Sequence, residues 1–152
     1  RSSNELNRLS GLPIERVCLS SAFIQENSNL VKNAISLFGK QAIIACLPVC
    51  LIDQKIYVYE SDKNRMKILD EKMQNFCIRF ADEIIIYDMD SEGSYDCFQM
   101  EILDKLLIPS NKLVITGGVG KNIIKLVKSK NIASSIIENR VLHSENSIEY
   151  FR

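Results

Sequence analysis

Two adjacent glycines, in the segment Thr116-Gly117-Gly118-Val119-Gly120, are the residues of this sequence best suited to bind an anion. They follow the apolar run Lys112–Thr116, which predicts a buried strand, and they precede a helical pattern over Lys121–Ser129. Glycines let the backbone approach a phosphate closely, and the start of a helix aims N–H groups and its dipole at the same point. The spacing therefore predicts a phosphate-binding turn, and the alternative is a turn that is tight for structural reasons only.

The turn departs from two familiar nucleotide-binding motifs. In the GxxxxGK[ST] loop the first glycine would fall at Ile115, and the residue after Lys121 is Asn122 rather than Ser or Thr. The dinucleotide fingerprint GxGxxG fails as well, because Ile123 stands at the third glycine position. The motif alone therefore indicates that the turn binds an anion, but it does not identify that anion.

Polar residues also follow three other predicted strands. They are Ser20-Ser21, Asp88-x-Asp90-x-Glu92-Gly93 and Glu138-Asn139. Ligands of parallel α/β folds bind beyond the C-terminal ends of the strands, so all these groups are expected on one face. Asp88 and Asp90 lie two apart on one predicted strand and so point to the same side. They are interpreted either as carboxylates that reach a substrate or as a helix cap or ion pair in the loop.

Strands and helices alternate along the chain in the order α-β-α-β-α-β-α-β-α-β-α. Apolar runs predict strands at 16–21, 41–47, 83–90, 112–116 and 133–137, with a small extra strand at 55–59. Helical spacing predicts helices at 3–9, 25–38, 68–81, 98–107, 121–129 and 147–152. Strict alternation predicts parallel strands with right-handed crossovers, in an open doubly wound sheet or in a barrel.

The charge and residue composition of the sequence disfavours some classes of binding partner. Lys+Arg and Asp+Glu both number 19, so the sequence lacks the basic excess that nucleic acid or an anionic membrane would require. We find no apolar run of about 20 residues and no signal peptide, and we expect a cytoplasmic protein. Five scattered cysteines are expected to be free thiols in a reducing compartment. His143 is not expected to be catalytic, and we expect no metal and no cofactor.

Four segments, taken in order, resemble one family: FGKQAIIA at 38–45, ADEIII at 81–86, DSEG at 90–93 and VITGGVGK at 114–121. The family is the cyclase subunit of imidazole glycerol phosphate synthase, a (β/α)8 barrel of histidine biosynthesis. The resemblance runs from residue 1 to residue 152. It implies one α/β domain over 1–152 that forms the C-terminal part of a TIM barrel, with about strands four to eight and their helices.

The resemblance also implies a function. The substrate would be a two-phosphate ribonucleotide, cyclised with ammonia that a glutaminase subunit delivers through the barrel. Residues that match the family's phosphate-binding positions are Ser20 and Ser21 for one phosphate, and Glu92, Gly93, Gly117, Gly118, Glu138 and Asn139 for the other. Arg16 and Glu83 match charged residues that gate the ammonia channel; the alternative is that they are ordinary charges at strand ends.

Three departures from the family bear on catalysis. The matched region begins after the third strand of the family, so strands one to three and the first catalytic aspartate have no counterpart here. Pro48 stands where the family has its second catalytic aspartate, and proline cannot act as a general acid or base. The glycine-rich loop expected after the extra hairpin is replaced by residues 64–68. We therefore assign no catalytic residue, and we expect this chain to be a fragment of a longer protein or prone to aggregation.

Three functions follow as hypotheses. The first is a cyclase-like lyase that works with a glutaminase partner. The second is a divergent paralogue that conducts ammonia for another glutamine amidotransferase, for example in surface-sugar biosynthesis. The third is a non-catalytic barrel remnant that binds a phosphorylated small molecule.

Overall fold

The computed structural model describes residues 3–137 and places them in one mixed sheet with helices packed against it. The helices are α1 Ser3–Leu9, α2 Ser21–Ile24, α3 Ser28–Phe38, α4 Glu71–Phe80, α5 Glu101–Asp104 and α6 Lys121–Ser129. The strands are β1 Val17–Leu19, β2 Ile43–Ile52, β3 Lys55–Glu60, β4 Arg65–Ile68, β5 Glu83–Asp88, β6 Leu113–Thr116 and β7 Ser134–Ser135. Among residues 3–137, no helix is long and apolar enough to cross a membrane.

The sheet has β2 at its centre. Strand β2 pairs in parallel with β1 and β5, and the parallel series continues through β6 to β7. The antiparallel hairpin of β3 and β4 extends the C-terminal half of β2. The predicted parallel strands are thus confirmed, and β4 is an additional strand that the sequence pattern did not predict.

Side chains alternate between a covered and an open face on the central strands. In β2, Ile43, Ala45, Leu47 and Val49 are fully buried, whereas the residues between them, from Ile44 to Pro48, are half-buried. Strand β5 shows the same alternation. Helices therefore cover one face of the sheet over residues 3–137. This arrangement suits part of a barrel, and it does not suit an open sheet that carries helices on both faces.

Pro48 lies inside β2, at the point where this strand changes partner. Strand β1 pairs with β2 only from Ile43 to Ala45, and β3 pairs with it only from Val49 onward. Proline has no N–H to donate to a neighbouring strand, so it is tolerated where the ladder is interrupted. The position that the family gives to an aspartate is therefore part of the sheet, and Pro48 is in register with Tyr87 of β5.

Three helix predictions were too long. The helix predicted at 68–81 is α4 Glu71–Phe80, because Ile68 belongs to β4 and the Asp70 side chain caps the helix by accepting from Met73 N at 2.8 Å. The helix predicted from Gln25 to Phe38 begins at Ser28, because Glu26 takes a positive φ of 52° and the Asn27 side chain accepts from Leu30 N at 3.1 Å. A separate short helix, α2, precedes that break. The helix predicted at 98–107 is reduced to α5, because the N–H of Phe98 donates to Gly118 O instead of continuing a helix. The helix predicted at 147–152 lies outside the described residues.

Candidate functional site

Gly117 and Gly118 form the turn after β6, and both have left-handed backbone angles, with φ of 90° and 67°. A Cβ on Gly117 would lie 2.2 Å from the Asp88 carbonyl oxygen, and a Cβ on Gly118 would lie 2.8 Å from Ser91 Cβ. The Gly118 carbonyl accepts from Cys97 N at 2.8 Å. These glycines therefore allow the turn to pack tightly against the β5–α5 loop, residues 89–100, whatever else they bind.

Asp88 organises that loop from inside the protein. Its carboxylate is fully buried on the helix-covered face of β5. It accepts from Ser91 Oγ at 2.7 Å, from Gln99 N at 2.9 Å and from Asp90 N at 3.2 Å. Because Asp88 already has these partners, it is a loop-organising group rather than one that reaches a substrate.

Asp90 does not share a strand with Asp88, contrary to the sequence prediction. Strand β5 ends at Asp88, and Asp90 lies in the loop with its side chain exposed. The chain turns at this point because the Asp90 N–H donates back to the Asp88 carboxylate. The two carboxylates therefore lie in different environments.

Asp96 occupies the N-terminus of α6. Its carboxylate accepts from Asn122 N at 3.1 Å and from Ile123 N at 2.9 Å. A Cβ on Gly120 would lie 2.6 Å from Asp96 Cβ, so this glycine makes room for the cap. The prediction that α6 aims free N–H groups at a phosphate is therefore wrong for these two donors, since a side chain of the β5–α5 loop already binds them.

Ser20 and Ser21 lie at the C-terminal end of β1 and line a cavity of about 350 Å³. This cavity extends to Ser61 and Asp62, in the turn between β3 and β4. Ser21 Oγ donates to Asp62 Oδ1 at 3.4 Å, and Gln25 Nε2 donates to Asp62 Oδ2 at 3.1 Å. The serines therefore have a carboxylate neighbour, which the sequence pattern could not reveal because β4 was not predicted.

Glu92 and Gly93 lie exposed in the β5–α5 loop. Gly93 has a φ of 74°, and a Cβ built on it would contact nothing within 4 Å. Its conformation favours glycine while its surroundings leave room for a ligand. Burial raises the pKa of the Tyr87 hydroxyl at the end of β5, and the carboxylate of Glu92 raises it further.

Arg16 and Glu83 meet at the opposite, N-terminal end of the sheet. Arg16 immediately precedes β1, Glu83 begins β5, and β2 runs between these two strands. The Arg16 guanidinium and the Glu83 carboxylate form a salt bridge with an N–O distance of 2.5 Å. Glu83 is in register with Ile44 on the open face, so the bridge crosses β2 on that face.

The described residues thus place the predicted groups at two ends of the sheet. Ser20-Ser21, the β5–α5 loop and Gly117-Gly118 lie at the C-terminal ends of their strands, and the Arg16–Glu83 pair lies at the N-terminal ends. Glu138, Asn139 and His143 lie outside the described residues. Over residues 3–137, no group of three or more His, Cys, Asp or Glu side chains is arranged to hold a metal ion.

Comparison with known proteins agrees with this architecture. The family model described as "Histidine biosynthesis protein" matches residues 1–147. The chain belongs to this histidine biosynthesis family. The family has the (β/α)8 fold, and the described sheet and helices fit part of such a barrel.

The chain is similar in sequence to individual members of the histidine biosynthesis family. It is 25% identical to the imidazole glycerol phosphate synthase subunit HisF of Helicobacter hepaticus, over 79% of this chain and 49% of the relative. It is 23% identical to the subunit of the same name from an Exiguobacterium species, over 92% of this chain and 57% of the relative. The chain thus spans about half the length of these relatives.

Proposed function

We propose that this chain forms part of a cyclase-like subunit of imidazole glycerol phosphate synthase, which takes ammonia from a glutaminase partner and binds a two-phosphate ribonucleotide. The observation that carries the proposal is the Arg16–Glu83 salt bridge on the open face, at the end of the sheet opposite Gly117-Gly118. A reaction that joins a delivered ammonia to a bound ribonucleotide needs an entry route that is separate from the substrate-binding face. The two ends of this sheet offer that separation.

The C-terminal end of the sheet supports the phosphate assignment. The Gly117-Gly118 turn packs against the β5–α5 loop, which also carries Gly93, at the ends of β5 and β6. Backbone N–H groups bind phosphate oxygens without adding a charged side chain to the site. Glu92, by contrast, carries a negative side chain, so we assign its contribution to the backbone. Glu138 and Asn139 remain proposed on the family resemblance alone.

Nitrogen-source dependence tests the ammonia route. The chain is supplied with the ribonucleotide and either glutamine plus the glutaminase or an ammonium salt, and imidazole glycerol phosphate is measured. Glu83→Gln and Arg16→Ala are expected to lower the glutamine-dependent rate more than the ammonium-dependent rate, because they break the salt bridge at the proposed entry. An equal loss with both nitrogen sources would show that the pair serves stability only. No product from either source would remove the cyclase activity from the proposal.

Pro48 favours a second candidate. It lies on the open face of β2, in register with Tyr87, where the resemblance expects a catalytic aspartate. A divergent paralogue that conducts ammonia for another amidotransferase would keep the Arg16–Glu83 pair and would not need that aspartate. Glutaminase stimulation by this chain, without cyclised product, would favour this candidate. Restoration of product by Pro48→Asp would return the assignment to the cyclase.

A further inference from the structure

Two thiols lie on neighbouring strands of the open face of the sheet. Cys18 lies in β1 and Cys46 in the neighbouring parallel strand β2, two residues beyond the register partner of Cys18, Ile44. Both side chains point away from the helix-covered face, as the burial alternation of their strands shows. Both line the same cavity as Ser20 and Ser21, and each thiol shifts the pKa of the other.

The two sulfurs have unequal acid–base character. The hydrogen bond from Cys46 lowers the pKa of Cys18, against the opposing effect of burial. The same hydrogen bond, together with burial, raises the pKa of Cys46. Cys18 is thus the sulfur that loses its proton more readily, and Cys46 is the one that holds its proton more tightly. A thiolate is the nucleophilic form of cysteine, and an adjacent thiol is suited to resolve its oxidation product.

We propose that Cys18 and Cys46 are a redox-active pair that reacts with hydroperoxides. The Cys18 thiolate attacks the terminal oxygen of the peroxide; the O–O bond breaks, one proton is taken up, and the products are Cys18 sulfenic acid and an alcohol or water. The Cys46 sulfur then attacks the Cys18 sulfur, the S–OH bond breaks, and the proton of Cys46 leaves with the hydroxyl as water. The protein loses two hydrogens in total and the peroxide is reduced.

Access and backbone geometry support both steps. The cavity of about 350 Å³ reaches both sulfurs, so a small peroxide has room to approach. A disulfide requires Cα atoms within about 7 Å, and a pair offset along two strands needs a small backbone movement to close. Strand β1 has only three residues, and within the described residues it is paired to the sheet through β2 alone. It is therefore the element best able to make that movement.

The other described cysteines provide internal controls. Burial raises the pKa of Cys77 to about 12, and burial together with the carboxylates of Asp90 and Asp88 raises the pKa of Cys50. Cys97 is exposed, and its Sγ donates to the Tyr95 carbonyl oxygen at 3.1 Å. Cys18 is exposed as well, so exposure alone would make Cys18 and Cys97 similarly reactive, whereas the proposal makes Cys18 the more reactive.

Peptide mapping after peroxide treatment tests the proposal. The reduced chain is exposed to hydrogen peroxide for increasing times, free thiols are alkylated, and each cysteine peptide is quantified by mass spectrometry. We expect the free Cys18 thiol to disappear about tenfold faster than that of Cys97, since reactivity follows the thiolate fraction. A Cys18–Cys46 disulfide that dithiothreitol reverses is expected to appear with the same time course. Equal or faster loss of Cys97, or full alkylation of both Cys18 and Cys46, would overturn the proposal.

Serine variants separate the two steps. In Cys46→Ser, dimedone is expected to trap the sulfenic acid at Cys18 without disulfide formation. In Cys18→Ser, the Cys46 thiol is expected to stay reduced, and in the matched control Cys97→Ser the Cys18–Cys46 disulfide is expected to form as in the unaltered chain. A disulfide that persists in Cys18→Ser through another cysteine would contradict the assigned pair. The mapping on the unaltered chain decides the matter if a variant does not fold.

Discussion

Ile123 N donates a hydrogen bond of 2.9 Å to Asp96 Oδ1, so a side chain of the β5–α5 loop forms the N-terminal cap of α6. The same carboxylate also accepts from Asn122 N. This cap joins two loops at the C-terminal end of the sheet, 27 residues apart along the chain. The phosphate-binding function proposed for this face therefore relies on a loop that α6 helps to hold in place.

Removal of this cap is expected to destabilise the chain. We expect Asp96→Ala to lower the free energy of unfolding by about 1 kcal/mol, the usual loss when a capping side chain is removed. Asp96→Asn is the matched control, since its amide oxygen still accepts from a backbone N–H, and we expect a smaller loss. Denaturant titration followed by circular dichroism measures both. Equal stability of the alanine variant and the unaltered chain would show that the cap contributes nothing.

Replacing Asp88 is expected to lower the free energy of unfolding more than replacing Asp90. The Asp88 carboxylate is buried and accepts from Ser91 Oγ and Gln99 N. Asp88→Ala leaves Gln99 N without this acceptor, while Ser91 Oγ keeps the Cys97 carbonyl oxygen at 2.8 Å, and we expect a loss of about 2 kcal/mol of unfolding free energy. Asp90→Ala is the control on an exposed side chain, with an expected change within about 0.5 kcal/mol. Similar losses for both variants in the same denaturant titration would contradict the separation of these carboxylates.

Ionisation of Glu26 is expected to make the free energy of unfolding depend on pH. Lys72 and Lys67 lie 2.7 Å and 3.2 Å from its carboxylate, and they lower its pKa below 4.5, mainly through the hydrogen bond from Lys72. A carboxyl group whose pKa is lower in the folded state stabilises the protein above its unfolded pKa. That contribution, about 1 kcal/mol, is lost as the pH falls through the folded pKa.

Thermal unfolding between pH 7 and pH 3 measures this contribution. Glu26→Gln is expected to lower the melting temperature at pH 7, and its difference from the unaltered chain is expected to shrink as the pH falls below 4.5. The exposed Glu15→Gln is the control, with an expected melting curve like that of the unaltered chain throughout. A constant difference between Glu26→Gln and the unaltered chain at every pH would mean that ionisation of Glu26 is not the cause.

The apolar pattern predicted the central elements well. Strands β5 and β6 are apolar runs between helical segments, and α6 was predicted with the bounds that the structure shows, whereas β2 continues to Ile52, five residues past its predicted end at 47. Strand β4 was missed because Arg65–Ile68 alternates charged and apolar residues over only four positions, and its pairing with β3 fixes it as a strand. Local spacing reveals apolar faces, but it does not reveal a short strand that depends on its partner.

The candidate site was predictable in its position but not in its internal contacts. The rule that ligands bind beyond the ends of parallel strands placed Ser20, Gly93 and Gly117 at one end of the sheet. It could not show that Asp62 neighbours Ser21, or that Asp96 caps α6, because these partners are 41 and 26–27 residues apart along the chain. Such contacts follow from the folded arrangement of loops rather than from any local pattern.

The glycine positions differ in their value as probes of ligand binding. A Cβ at Gly118 would lie 2.8 Å from the Ser91 carbonyl oxygen, so any substitution there disturbs the packing of two loops. A Cβ at Gly93 would contact nothing within 4 Å, and its cost is confined to the left-handed φ, about 1 kcal/mol. We expect Gly93→Ala to stay folded in circular dichroism and Gly118→Ala to be clearly less stable. Equal stability of the two variants would contradict the contacts described for Gly118.

Calorimetric titration with the two-phosphate ribonucleotide tests whether the ends of β5 and β6 form the phosphate-binding face of a cyclase-like site. We predict saturable binding by the unaltered chain, clear weakening in folded Gly93→Ala, and no change in Lys40→Ala, an exposed position before the start of β2 and thus at the opposite end of the sheet. Binding that Gly93→Ala leaves unchanged, or no binding by the unaltered chain, would contradict this assignment.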